Sequence, residues 1–421
     1  MNPMNMTEKI LSSKLGRKVE VGEFVVVPVD FVYAHDGTAP LSIKVMNEIK
    51  ELNKVFDPSR IAFIIDHAAP SPTVSSAHVH IEMRSFAKRF GIRLYDVGNG
   101  ICHQVIAESG LIRPGMVVVG ADSHTVTLGA LGAFATGVGS TDAAIAMTLG
   151  KLWMKVPETI KVVINGKPKP WVLGKDIILH IIGSLGVDAA TYKSVEFLGE
   201  SLKYLTMDSR MTLSNMSVEM GAKAGLIPVD EVTKAWFKSL GINNIRTIRP
   251  DPGAEYEDEV IFDVAGLEPQ VALPPNIDNV KPVTEVEGIE IDQVFIGSCT
   301  NGRFEDFLIA SRIFKGRRVK DGVRCIAIPA SRSIYLRLLR EGIIEILVSA
   351  GCFVAHSTCG PCIGAHLGLL GGGEVAISTS NRNFIGRMGH KDSKVFLASP
   401  ATAAASAIEG KIVDPSKYLG R

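Results

Sequence analysis

Met116-Val-Val-Val-Gly-Ala-Asp-Ser-His124 runs from an apolar, β-branched stretch straight into an aspartate and a histidine. The valines read as a strand, and the polar residues mark where it ends. The same arrangement recurs twice: the apolar run 61–65 leads into Asp66-His67, and 294–296 leads into Ser298-Cys299. Further short β-branched runs lie at 24–29, 160–164, 323–328 and 374–377. They alternate with helical patterns at 41–55, 73–90, 175–185, 211–224, 304–314 and 333–350. Strands that alternate with helices predict α/β layers with largely parallel sheets. In such sheets ligands bind beyond the carboxyl ends of the strands, which is where the three polar motifs fall.

The chain of 421 residues is too long for one compact domain, and 46% apolar with 21% charged residues excludes a disordered chain. Lys+Arg 45 against Asp+Glu 44 leaves a net charge of +1, so no global basic field draws nucleic acid. The start of the chain carries no long apolar core with a small-residue cleavage site, and no stretch has the apolar length of a membrane helix. The expectation is a soluble, cytoplasmic protein. Residues 272–288, with Pro274, Pro275 and Pro282, read as a linker, and a softer boundary lies near Val156-Pro157.

Six cysteines are too sparse for a disulfide scaffold. Cys359-Gly-Pro-Cys362 is a C-x2-C pair in a turn, and Cys299 lies in Gly-Ser-Cys-Thr-Asn-Gly just past a strand. Cys325 sits inside a predicted strand and reads as a small buried hydrophobe. Cys352 precedes Cys359 by seven residues. Three thiolates at this spacing suit a structural zinc site that His356 could complete, a redox pair, or an iron–sulfur cluster with one iron free of protein thiolate. The spacing alone leaves all three open.

The surrounding residues go further. Gly120-Ala-Asp-Ser-His-Thr125 with Thr127-Leu-Gly-Ala130 and Gly137-Val-Gly139, Ile296-Gly-Ser-Cys-Thr-Asn-Gly-Arg303, Ser357-Thr-Cys-Gly-Pro-Cys-Ile-Gly364, and Ser378-Thr-Ser-Asn-Arg-Asn-Phe-Ile-Gly-Arg387 resemble, in order, the signatures of the aconitase superfamily. The resemblance runs from about Glu8 to Tyr418. It implies a [4Fe-4S] hydro-lyase built of three α/β/α subdomains around the cluster, here 1–157, 158–283 and 284–421. The sequence contains no Gly-Ser-Ser-Arg-Glu-like segment, which in single-chain aconitases belongs to a swivelling fourth domain. The chain therefore resembles the large subunits of the two-chain branch, the isopropylmalate dehydratases of leucine synthesis and the homoaconitases. A small subunit is then expected to supply the serine base, a substrate arginine and a specificity loop. Related methyl-malate hydro-lyases, and a non-catalytic cluster- or zinc-binding protein, are the alternatives.

Residue by residue, the resemblance implies that Cys299, Cys359 and Cys362 hold the cluster, with one iron lacking a cysteine. It places Asp66, His67, His103, Asp122, His124 and Glu219 in the catalytic set, and Asn215 and Asn381 around the cluster. Arg382, Arg387 and His35 face a hydroxy di- or tricarboxylate substrate. The chemistry agrees: an aspartate beside His67 favours the imidazolium, and guanidinium forks suit carboxylates. Asn215 and Glu219, four apart, are expected on one helix face.

Overall fold

The computed structural model describes residues 3–419. Strands β1 to β7 span Phe24–Pro28, Phe31–His35, Ile61–Ile64, Arg93–Tyr95, Val117–Gly120, Phe134–Gly137 and Lys151–Lys155. Of these, β4-β3-β2-β5-β6 form an all-parallel sheet, and β1 pairs antiparallel with β7 in a separate ribbon. Strands β8 to β11, Thr159–Asn165, Ser194–Leu198, Ala224–Leu226 and Asp258–Asp263, form a second parallel sheet in the order β10-β9-β8-β11.

Strands β12 to β18 follow at Gln270–Ala272, Val280–Pro282, Gln293–Ile296, Arg324–Ala327, Phe353–Val354, Val375–Ser378 and Lys394–Ala398. They make the third sheet, β13-β12-β18-β17-β14-β15-β16, parallel from β18 to β16 and antiparallel at β13 and β12.

Both faces of the first sheet are covered. Phe31 and Tyr33 of β2 pack into the central core, while Val32 and Ala34 pack into an outer one with Val117 and Val119 of β5. That two-sided burial is why the strands read as continuous apolar runs. A third core lies around Val294, Ile296 and Ile377 and contains Cys299 and Cys359. Among the described residues no helix is long and apolar enough to cross a membrane.

Three expectations need correction. The proline-rich stretch 272–288 is not a linker: β12 and β13 are a hairpin hydrogen-bonded into the third sheet, closed by Leu273 N–H donating to Asn279 O at 2.8 Å. Pro274 and Pro275 lie in its loop. Pro282 ends the edge strand, where a missing N–H costs nothing. The third sheet therefore begins at residue 270, ahead of the division expected at 283/284. The helical pattern 333–350 is two helices, Arg332–Arg340 and Ile343–Ser349, broken at Gly342 with φ +73°. The pattern 211–224 is the helix Met207–Met216, a 3-10 turn Ser217–Met220 and then β10. Asn215 and Glu219 therefore do not share one continuous α-helix.

The helix Met207–Met216 is pinned by a buried guanidinium. Arg210, 0% exposed, reaches both Asp230 carboxylate oxygens at 2.6 Å and Leu202 O at 2.6 Å. Asp230 also caps the helix Glu231–Ser239 through the N–H groups of Val232 and Thr233. The aspartate is partly exposed and recovers water when its partner is lost. Arg210→Met should thus cost about 3 kcal/mol, the low end for a broken buried pair. Thermal and urea unfolding measure it, and wild-type stability in this variant would contradict the account.

Candidate functional site

The carboxyl ends of β2, β3 and β5 deliver His35-Asp36, Asp66-His67 and Asp122-Ser123-His124 to one place. Asp36 accepts the backbone N–H groups of Asp66, His67 and Ala68 at 3.1, 2.8 and 2.8 Å, and His80 Nε2 lies 3.2 Å away. Burial would raise the Asp36 carboxyl, but the His67 charge and these N–H donors hold it well below the usual range. Asp36 thus fixes the loop that presents His67. The sequence offers it only as the polar neighbour of His35, and it was not among the expected site residues.

Asp66 Oδ1 lies 2.7 Å from His67 Nδ1, and Asp66 Oδ2 accepts Cys102 N–H at 2.6 Å. Burial opposes a charge on His67, yet Asp66 and the facing Cys359 raise it well above the ordinary histidine value. The His67 ring stacks on His35, with centroids 3.7 Å apart. The Asp66 carbonyl accepts Cys359 N–H at 3.0 Å and the Thr358 hydroxyl at 2.8 Å, which ties this loop to the paired-cysteine turn.

Asp122 is the second hub. Its carboxylate lies 3.3 Å from His35 Nε2 and 2.9 Å from His103 Nε2, and accepts His124 N–H at 2.7 Å. The His103 ring also touches Tyr33 Oη at 2.7 Å through Nδ1. Burial lowers His103, whereas its histidine neighbours outweigh burial at Asp122 and hold that carboxyl well below its usual value. A Cβ on Gly137 would stand 2.5 Å from Asp122 O, so glycine lets this turn sit against β6. Gly129 packs against β10, where a Cβ would run into Gly225 O.

His124 Nε2 meets Glu219 Oε1 at 2.8 Å, and Arg382 Nε donates to both Glu219 oxygens at 3.0 Å. Burial opposes the Glu219 charge, but His124 and Arg382 outweigh it and keep its carboxyl below the ordinary value. Arg382 Nη2 donates to Ser123 Oγ at 3.1 Å. Asn215 Nδ2 reaches Thr127 Oγ1 at 2.8 Å and Cys299 Sγ at 3.3 Å. Asn381 Nδ2 lies 3.6 Å from Cys299 Sγ, and its Oδ1 lies 3.9 Å from Cys362 Sγ. Arg387 Nη2 lies 4.0 Å from Cys362 Sγ, while its Nε is buried without a partner among the described residues. Arg303, buried, donates to the carbonyls of Cys299 and Thr300 and braces the cysteine turn.

Each expected site residue thus joins one network around three buried thiols. Cys325 and Cys352 stand apart, Sγ to Sγ 2.9 Å, beside neighbouring strands of the third sheet. Burial pushes Cys299 up to about 11 and Cys359 well above the usual thiol range. Such thiols carry a proton until a cation replaces it, which suits metal ligation. Close donor sets for a single ion, within 4.8 Å of one another, are His103, His124 and Cys299, and His35, Asp36, Asp66 and His67. Cys299, Cys359 and Cys362 do not form such a set among the described residues.

The family profile "Aconitase family (aconitate hydratase)" matches residues 8–287 and 276–410. The chain belongs to the aconitase family. It is 51% identical over 415 residues to the 3-isopropylmalate dehydratase large subunit 1 of Methanopyrus kandleri, covering 98% of this chain and 99% of that one. It is similar at 49% to the 3-isopropylmalate dehydratase large subunit of Aquifex aeolicus, covering 99% and 98%. It is also 48% identical to a probable methanogen homoaconitase large subunit of Methanothermobacter thermautotrophicus, covering 100% and 99%. Among solved structures, Thermococcus kodakaraensis aconitase X (holo-form) shares the fold with TM-score 0.50, 12% identity and 89% of each chain covered.

Proposed function

We propose that this chain is the catalytic large subunit of a cytoplasmic 3-isopropylmalate dehydratase, interconverting 2- and 3-isopropylmalate by dehydration and rehydration for leucine synthesis. The observation that carries the reading is the meeting of three buried thiols with the Asp66–His67 couple, the Asp122 hub and the Glu219–Arg382 pair in one site. Relatives that bear this name, about half identical over nearly the whole chain, support it. Cys299, Cys359 and Cys362 would hold a [4Fe-4S] cluster with one iron free of cysteine. The free iron, when the cluster is bound, supplies a Lewis acid for a hydroxyl and a carboxylate.

The chain's own residues do the rest. Arg382 is oriented by Glu219 and Ser123, which leaves Nη1 for a substrate carboxylate. Arg387, whose Nη2 lies 4.0 Å from Cys362 Sγ, takes another. His67, held protonated by Asp66, gives its proton to the departing hydroxyl. Asp122 sets the rings of His35 and His103 about the same point. A separate small subunit would bring the base that removes the neighbouring carbon-bound proton, together with a further arginine and the loop that selects the substrate.

Electron paramagnetic resonance on the anaerobically reconstituted chain tests the centre. A [3Fe-4S] signal should appear on mild oxidation and vanish when iron is restored and the centre reduced. Zinc with no such signal would overturn the proposal. Assays with the small subunit should give turnover of isopropylmalate. Turnover of homocitrate alone would move the assignment to homoaconitase.

A further inference from the structure

Lys175 is the second residue of the helix Gly174–Leu185 and is 0% exposed. Lysine is almost never fully buried without an ion-pair partner. Among the described residues Lys175 has none. Its neighbour Asp176 is engaged elsewhere, accepting the N–H groups of Leu173 at 2.9 Å and Gln270 at 3.0 Å. Lys175 Nζ instead donates to two carbonyls, Thr379 O at 3.2 Å and Ser380 O at shorter range. Burial lowers its ammonium to about 7, against the smaller opposing pull of Cys362, Asp306, Asp176 and Glu219.

The two carbonyls lie immediately before Asn381 and Arg382. Asn381 touches Cys299 and Cys362, and Arg382 grips Glu219. Thr379 also ties this turn to the loop before Cys299, since its hydroxyl accepts Gly297 N–H at 2.9 Å. The lysine therefore sits behind the turn that links the substrate arginine to two of the three thiols, more than 200 residues away in sequence.

We propose that Lys175 is a positioning residue: its Nζ clamps the turn 379–382 so that Arg382 and Asn381 are set. No other residue supplies a second donor to the Thr379 and Ser380 carbonyls among the described contacts. The catalytic part rests on the function proposed above, whereas the clamp itself does not.

The experiment compares wild type with Lys175→Met, which keeps the length and loses the donors and charge, and Lys175→Arg, which keeps the charge but must displace the carbonyls. The first reading is hydrogen exchange of amides 379–387 in the iron-free chain, with circular dichroism to confirm folding. Exchange there should quicken at least about tenfold in Lys175→Met, while the strands of the first sheet keep wild-type rates. In the reconstituted enzyme with its small subunit, KM should rise on the order of ten- to a hundredfold in both variants, with a smaller change in kcat.

Wild-type exchange and KM in a folded Lys175→Met would overturn the proposal. If that variant does not fold, an unchanged KM in Lys175→Arg overturns it. If the wild type shows neither cluster nor turnover while the turn still loosens in Lys175→Met, the clamp stands and the function reading fails.

Discussion

Cys359→Ser is expected to abolish isomerase turnover, by about a thousandfold or more, while leaving the fold intact. The magnitude follows from the role proposed for the cysteine: Lewis-acid stabilisation of a leaving hydroxyl is worth several kcal/mol, and each 1.36 kcal/mol is tenfold in rate. A serine oxygen does not ligate iron as a thiolate does. Cys325 and Cys352, free thiols in contact with each other, lie apart from the site, and Cys102, buried near Cys359 and Cys299, is tied down by its backbone N–H on Asp66. The fold should survive because Cys359 N–H holds the Asp66 carbonyl whatever the side chain, and a serine hydroxyl can still face His67 where the thiol did. Iron and sulfide analysis, the oxidised-cluster resonance and turnover with the small subunit read the outcome together. Cys352→Ser is the matched control and should retain iron. Full turnover by Cys359→Ser would sink the assignment of that cysteine.

The strand ends were legible because their signal is local. A β-branched run followed at once by Asp-His or Asp-Ser-His states both the strand and its edge, and β3 and β5 stop within a residue of where the pattern stops. The helix Phe304–Phe314 coincides with its apolar periodicity for the same reason. Misreadings fell where local signals conflict with the tertiary arrangement. The prolines at 274, 275 and 282 mean a break to any local reading. Yet a hairpin loop and an edge strand tolerate them, and only pairing with β18 reveals the strands. The helix through Met211 tightens at Ser217, whose hydroxyl bonds back to Ser214 O, and Glu219 reaches the site from a turn.

Motif resemblance brought the thiols, histidines and arginines together, but not the groups behind them. Asp36 works by gathering three N–H groups from a neighbouring strand's loop, and Lys175 by meeting carbonyls more than 200 residues on. A buried charge is defined by what surrounds it, and one sequence does not state its own neighbours. Arg303 is the instructive middle case. It stands inside a motif, yet its role in bracing the Cys299 turn shows only in the carbonyls it reaches.

His67→Asn should lower kcat by about a hundred- to ten-thousandfold, the range expected for losing a positioned general acid, with KM close to wild type. The asparagine amide can still face Asp66, and the main-chain bond from residue 67 to Asp36 does not depend on the side chain. The loop should therefore stay in place and only the proton be lost. Substrate carboxylates are assigned to Arg382 and Arg387, neither of which contacts His67, so binding should persist. Asp66→Asn separates the two functions of that carboxylate. It leaves the ring but removes the charge that keeps it protonated, and it replaces the acceptor of Cys102 N–H. Its kcat should fall less than that of His67→Asn, and the double variant should be no worse than His67→Asn alone, because a carboxylate that acts through the imidazole has nothing to act on once the ring is gone. Additive losses in the double variant would mean that Asp66 contributes to the chemistry by a route of its own, and an unchanged kcat in His67→Asn would take the leaving-hydroxyl proton away from this histidine.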